Sequence, residues 1–350
     1  MNSSPQTTAN VSLPFWQRVV TLIFGVVAIG VYLWILTQLQ HKALPIFPQE
    51  LTLNLFGRDL TLHEIHQKII DTATTLFVIL PLAVFAEMLL IGWEKSALKR
   101  MLFAPSASIR MDLAIIIADE SRLLRIIGKL MTFGLTAAFG IWVHDRLSAA
   151  VGINIGLDFL PYWFQFAVYF VLYTFFDYWT HRFNHLPQFW PLHRYHHSTQ
   201  DFCVITANRQ HPAALTGIFL INMPLAVLGA PAEVLVKIYL SVSIIGYLIH
   251  SGINSDWGWF GRWVIQSPLH HRQHHVLEKA QWSTNFGIMP IWDHLFGTYA
   301  QAAKADTPIG VDTPYNQGLG FLKDVVRDYV DFWVGLARAG KQLFVAGKSS

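Results

Sequence analysis

Four apolar runs, at about residues 17–39, 72–93, 126–143 and 159–178, each approach the length that an α-helix needs to cross the hydrocarbon core of a bilayer. Such runs leave few folds open, because in lipid the backbone must satisfy its own hydrogen bonds, and a helix does so within one segment. A fifth apolar region, about 213–250, is interrupted near Gly229, Ala230 and Pro231. It predicts a hairpin of two short segments that dips in and returns on the same face. Pro231 is suited to open the second segment, since its missing N–H is among those unpaired at a helix start. Composition points the same way: 53% of residues are hydrophobic and only 13% charged, against about 25% in an ordinary soluble domain. The expected fold is an all-α integral membrane protein with about four transmembrane helices, the hairpin and a helical lobe outside the bilayer.

The first run is too long for a signal-peptide core and has only Arg18 as a basic neighbour before it, so it reads as a retained anchor. Lys and Arg concentrate between residues 94 and 125 (Lys95, Lys99, Arg100, Arg110, Arg122, Arg125), whereas 144–158 holds Arg146 alone. The positive-inside rule makes the former loop cytoplasmic, and crossing parity then places both termini and everything after residue 178 on that face, the hairpin's excursion into the bilayer aside. Within the loop, Met111–Ile117 suits either an interfacial helix or a linker helix packed on the domain. The stretch 321–344 mixes basic and apolar residues and predicts a second surface helix. The net charge of +3 is too small and dispersed for a nucleic-acid surface.

Twelve of the sixteen histidines lie between residues 181 and 294, beyond the last full membrane run, while Cys203 is the single cysteine. Imidazole is therefore the metal ligand to look for. His181 and His185, at i and i+4, share a helix face, with Asp177 one turn earlier. Pro191 can start a helix on which His193, His196 and His197 form one stripe, and the same pattern returns as His271, His274 and His275. Eight clustered imidazoles exceed one tetrahedral ion and imply two metals. Uncharged and without a cation, they would be buried at a cost in lost hydration. His250, arriving at the end of the hairpin, is the best ninth ligand, and Asn254, a turn further on, is placed to ligate weakly or orient a metal-bound water. Asp177 reads as an acceptor for a histidine N–H rather than as a ligand. His211 and His270 stay open between ligand, substrate contact and packing; His41, His63, His66, His144 and His294 read as hydrogen-bonded or interfacial groups. Glu87, inside the second membrane run, reads as a buried partner of a neighbouring helix or loop.

Nitrogen ligation suits iron, copper or zinc rather than magnesium or calcium. A redox-active pair would activate dioxygen, whereas a zinc pair would polarise water. A site beside lipid tails favours oxidation of a buried lipid carbon. A histidine-rich metal transporter is the contrasting class, but it would spread its ligands along the crossing helices.

The order and spacing of His181-Arg182-Phe183-Asn184-His185, His193-Arg194-Tyr195-His196-His197-Ser198, Arg209-x-His211-Pro212, His250-Ser251-Gly252, Pro268-Leu269-His270-His271-Arg272-Gln273-His274-His275, Asn285-Phe286-Gly287 and Trp292-Asp293-His294-Leu295-Phe296-Gly297-Thr298 resemble the sterol desaturase and fatty acid hydroxylase superfamily. The resemblance covers about residues 160–300. It implies a non-haem di-iron enzyme using dioxygen and two electrons to hydroxylate or desaturate a sterol or fatty-acyl lipid, with zinc able to occupy the sites on purification. By position it assigns His181, His185, His193, His196, His197, His250, His271, His274 and His275 to the metals, leaving Asp177, Asn254 and Asn285 as groups around them. Some members have a histidine where this chain has Asn254. No haem-binding His-Pro-Gly-Gly occurs, so a separate electron donor is implied: a cytochrome b5-like protein, a ferredoxin or a reductase. The second and third boxes are also similar to those of the alkylglycerol monooxygenases, which makes ether-lipid cleavage the alternative reaction. On this reading residues 1–150 are anchor helices and an interfacial loop, 151–300 the catalytic domain and 301–350 an amphipathic tail.

Overall fold

The computed structural model describes residues 14–55, 58–62, 65–66, 70, 78–120, 142–152, 156–214, 216–316 and 320–346. The chain divides into two compact units, Met1–Lys99 and Arg100–Ser350. Residues 100–120 thus belong to the same unit as the histidine boxes and the C-terminal stretch.

In the first unit, helix α1 (Phe15–Gln38) starts behind Pro14 and continues through tighter and wider turns to Ile46. Thr21 and Thr37 turn their hydroxyls back onto the carbonyls of Gln17 and Leu33, both at 2.8 Å, which satisfies the hydroxyls without leaving the helix. Among the described residues, Phe15–Ile46 is the one unbroken helix long and apolar enough to span a bilayer, with a mean hydropathy of 2.6. Residues Leu51–Leu55 (β1) and Arg58–Leu62 (β2) pair as an antiparallel ladder. This small hairpin departs from the all-helical expectation. Its signal was in the sequence: Leu51, Leu53 and Leu55 alternate with Thr52 and Asn54, a period of two rather than 3.6. The second apolar run contains helix α2 (Leu80–Ile91), closed by Gly92 at φ 82°. On α2 the buried Glu87 accepts the backbone N–H of Ala97 at 2.6 Å, so its carboxylate serves the start of helix α3 (Ala97–Phe103).

In the second unit, helix α4 (Ala107–Glu120) buries Ile109, Met111, Asp112 and Ile115. Met111 and Ile115 pack against Tyr195 and Phe321, as a linker helix on the domain would. The expected run at 126–143 lies largely outside the described residues. The fourth run forms helix α5 (Tyr162–Asn184), opened by Pro161. Its exposed Phe164, Val168 and Val171 recur at intervals of three or four residues, and Trp179 follows about two turns further on. Tyr169 and Tyr173, on α5, pack against Ile221, Leu225, Val234 and Ile238 of the broken region 218–249.

That region contains α7 (Met223–Val227) and α8 (Ala232–Ile249), with Pro231 capping α8. The break passes through Gly229 at φ 72°, where a Cβ would lie 2.7 Å from the His144 ring. Only glycine fits there. Short helices α6 (Trp190–His197), α9 (Gly258–Trp263), α10 (Pro268–His274) and α11 (Ile291–Phe296) follow the membrane-type segments, and helix α12 (Phe321–Ala346) ends the described chain.

Candidate metal centre

Four pieces of the second unit deliver histidines to one place: the end of α5, all of α6, the end of α8 and α10. Pro191 lies in the first turn of α6, and Ser267 caps α10 by accepting the His270 N–H at 3.2 Å, with Pro268 beginning the helix. The nine histidines sort into two adjoining groups. One holds His181, His185, His193, His197 and His274; the other holds His196, His250, His271 and His275; within each, one nitrogen per ring lies within 4.8 Å of all the others.

Each His-x-x-His-His box divides in the same way. In α6 the i and i+4 residues, His193 and His197, join the five-histidine group, while His196 crosses to the other. In α10 the pair His271 and His275 joins the four-histidine group, and His274 crosses back. The rings of His197 and His275 stack between the groups at 4.1 Å.

The remaining ring nitrogens reveal the tautomers. Nδ1 of His181 donates to the Phe286 carbonyl at 2.7 Å, His274 to Thr284 at 2.6 Å, His196 to Arg209 at 3.1 Å and His250 to Gly246 at 2.7 Å. His271 uses the Gln266 side-chain oxygen at 2.9 Å. A carbonyl oxygen only accepts, so Nδ1 carries the proton and Nε2 is left with a bare lone pair. Yet His250 Nε2 sits 2.9 Å from His271 Nε2 and 3.2 Å from His196 Nε2.

Three unprotonated nitrogens facing one another repel unless a cation lies among them. With metal–nitrogen bonds of about 2.1 Å, neighbouring ligands would sit about 3.0 Å apart around an octahedral ion and about 3.4 Å apart around a tetrahedral one. The observed spacing fits. Nε2 of His181, His185 and His274, and both ring nitrogens of His275, are buried with no hydrogen-bond partner among the described residues. Such groups are costly unless they bind something. Burial first, and the neighbouring imidazoles second, push His193, His197, His271 and His275 well below the usual histidine range. The rings are therefore neutral and competent to ligate at neutral pH.

The three polar residues expected around the metals fare differently. Asp177 bonds to no histidine among the described residues, because main-chain carbonyls and Gln266 take the N–H groups that it was expected to hold. Asn254 is exposed. Helix α8 ends at Ile249, so a residue four positions past His250 no longer follows its face. Asn285 is buried at φ 53°, a left-handed conformation that asparagine tolerates. Its side chain bonds His270 O at 3.1 Å and Ala300 O at 3.0 Å, and its own carbonyl accepts Gln266 Nε2 at 2.7 Å. It acts on His271 through Gln266.

The open histidines are settled by their bonds. His211 engages Val325 O at 2.9 Å and Ala213 N at 3.1 Å; His270 engages Ser267 Oγ at 2.7 Å and the Tyr299 hydroxyl at 3.0 Å. Both rings have spent both nitrogens. His66 and His144 bond backbone carbonyls, and His294 lies between Trp263 and Tyr299.

Two supports went unrecognised in the sequence. Asp293, fully buried, accepts Phe286 N and Gly287 N, each at 2.8 Å, and Thr298 Oγ at 2.7 Å. It thereby holds the loop whose carbonyl orients His181. A Cβ on Gly287 would come within 2.7 Å of Met289 O. On the other side, Arg209 donates to Asp112 at 2.6 Å, Ser198 at 3.1 Å and Ser108 at 2.8 Å, all buried, while its carbonyl receives His196. Asp293 and Arg209 both stand in the motifs quoted above, but Asp112, about a hundred residues upstream of Arg209, carried no local signal.

A family model for fatty acid hydroxylases matches residues 166–298, the segment that contains all nine histidines. This part of the chain is similar to the fatty acid hydroxylase family. An alkylglycerol monooxygenase of Danio rerio is 34% identical over 125 residues, 35% of this chain and 28% of that one. An ornithine lipid hydroxylase of Rhizobium tropici is 34% identical over 173 residues, 48% and 51% of the two chains. Human alkylglycerol monooxygenase is 28% identical over 184 residues, 52% and 39%. The chain thus spans about half or less of these relatives' length. No solved structure matches.

Proposed function

We propose that the protein is a membrane-bound di-iron oxygenase that uses dioxygen and two electrons to hydroxylate or desaturate a C–H bond of a lipid. The observation that carries this reading is the pair of adjoining histidine groups, nine imidazoles with bare nitrogens turned inward, inside a segment of fatty acid hydroxylase type. Two adjacent redox ions would supply dioxygen activation. The protein's own contribution is to orient and shield. Backbone carbonyls fix the Nδ1 protons and raise the basicity of Nε2. Phe202, Phe286 and Trp282, all buried, line or support the rings and exclude water.

A second reading, cleavage of an ether lipid, draws on the likeness to alkylglycerol monooxygenases. The topology we favour is multi-pass, with the metal centre on the cytoplasmic face as the Lys and Arg distribution suggests, and a separate electron donor. Metal analysis of the purified protein, joined to lipid profiling of cells with and without it, tests the proposal. Two metal equivalents and a lipid that gains one oxygen or loses two hydrogens are expected. Ether cleavage would instead release a fatty aldehyde, and unchanged lipids with altered metal uptake would favour a transporter.

A further inference from the structure

Helix α12 (Phe321–Ala346) has two faces with different neighbours. The inner face carries Phe321, which joins Met111 and Ile115 of α4 and Tyr195 of α6 in one buried cluster. From the same side, buried Asp328, with Asp331, holds Arg194 of α6, next in sequence to His193. The outer face carries Leu322, Val326, Tyr329, Val330, Trp333 and Val334, each between 39% and 63% exposed. At 100° per residue these six fall on one continuous stripe. Lys323 and Lys341 are exposed between Val330 and Val334 on one side of that stripe, and Arg338 is exposed just beyond it.

The geometry points to α12 as a helix that lies flat in the headgroup region of an anionic lipid bilayer. Seven charged residues (Lys323, Asp324, Arg327, Asp328, Asp331, Arg338, Lys341) forbid a crossing, whereas an apolar stripe bordered by lysine and arginine is the pattern of a helix in the interface plane. Tyr329 and Trp333 within the stripe are amphipathic aromatics of the kind that settle at headgroup level. The basic edge selects anionic lipid as the occupant. Because the opposite face grips α6 through Arg194, this contact would fix the depth of the helix that supplies three of the histidines. The inference does not depend on the oxygenase reading, since it concerns where the helix rests and not what the metals do.

Cys203 is buried and is the sole cysteine, so labels can be directed to single sites. Val326→Cys and Val330→Cys, with Lys304→Cys as an exposed control, would be spin-labelled in the full-length protein reconstituted in phosphatidylcholine discs with and without phosphatidylglycerol. Relaxation by membrane-dissolved oxygen should exceed relaxation by a water-soluble nickel chelate at positions 326 and 330, and the order should reverse at 304. Charge reversal by Lys323→Glu with Lys341→Glu should lower the oxygen contrast at 326 and 330 in the phosphatidylglycerol discs, with metal content unchanged as the check of folding. Dominant relaxation by the chelate at 326 and 330 would overturn the inference, as would dipolar broadening between labels, which would show a second copy on this face. Metal content and lipid contact are read separately, so a protein that binds no metal but whose helix still sits in lipid would refute the oxygenase and not this placement.

Discussion

The two histidine groups of the candidate metal centre are built unequally. The five-histidine group leans on a loop, 284–287, whose carbonyls orient His181 and His274 and which Asp293 pins from behind. The four-histidine group has one ligand fewer, yet more of its rings are fastened: His196 by the Arg209 carbonyl, His250 by its own helix and His271 by Gln266. A smaller set of ligands held more firmly leaves coordination positions open without letting the ion drift. With two ions bound as proposed, the more open one would lie on the side bounded by Phe202 and His250.

Removing one ligand from each side should expose the inequality most strongly. His271→Ala leaves three imidazoles and should lose that ion outright, whereas His185→Ala leaves four and should retain the other with weakened affinity. Metal counts by mass spectrometry decide it, and equal losses would break the comparison. Next in size, Arg209→Met strands a buried carboxylate at Asp112, with an expected cost of about 3–5 kcal/mol in stability. The accompanying loss of metal should fall on the four-histidine side, visible when denaturation and metal content are measured together.

Gln266→Leu removes the acceptor for His271 together with the donor to the Asn285 carbonyl, and should lower affinity on that side by about 10- to 100-fold, read by chelator competition. Acid should act on both sides alike. Burial holds the folded-state values of these histidines below the ordinary value of about 6.5, so as pH falls the unfolded chain takes up protons first. The metal-free protein should then keep its full stability above about pH 6.5 and lose it progressively below, a trend that thermal melts on either side of that pH can check. Smallest of all, His270→Gln should leave both ions in place, because that ring's nitrogens are already committed to Ser267 and Tyr299.

Much of the histidine clustering was legible in the sequence because histidine spacing on a helix is a local property. His193 and His197 share a face wherever the helix goes, and Pro191 and Pro268 announce where the two short helices begin. The groups around the metals were harder to read, for an instructive reason. Asp177 and Asn254 both lie one turn from a histidine in sequence, but the chain leaves its helix after Ile249, and main-chain carbonyls from distant loops reach the histidine N–H groups before Asp177 can. A carbonyl has no residue type, so no pattern of side chains predicts which one will arrive.

By itself, the sequence determined an apolar chain with bilayer-length runs, a break at Gly229–Pro231 and nine clustered imidazoles, since each follows from composition and period. The tertiary structure decided how those imidazoles divide between two groups, because i+3 departs from the i, i+4 direction just far enough to face a neighbouring group once α6 and α10 turn their rings toward one another. It also joined Asp112 to Arg209 and Asp293 to the 286–287 turn, partnerships that burial makes obligatory and that chain separation hides.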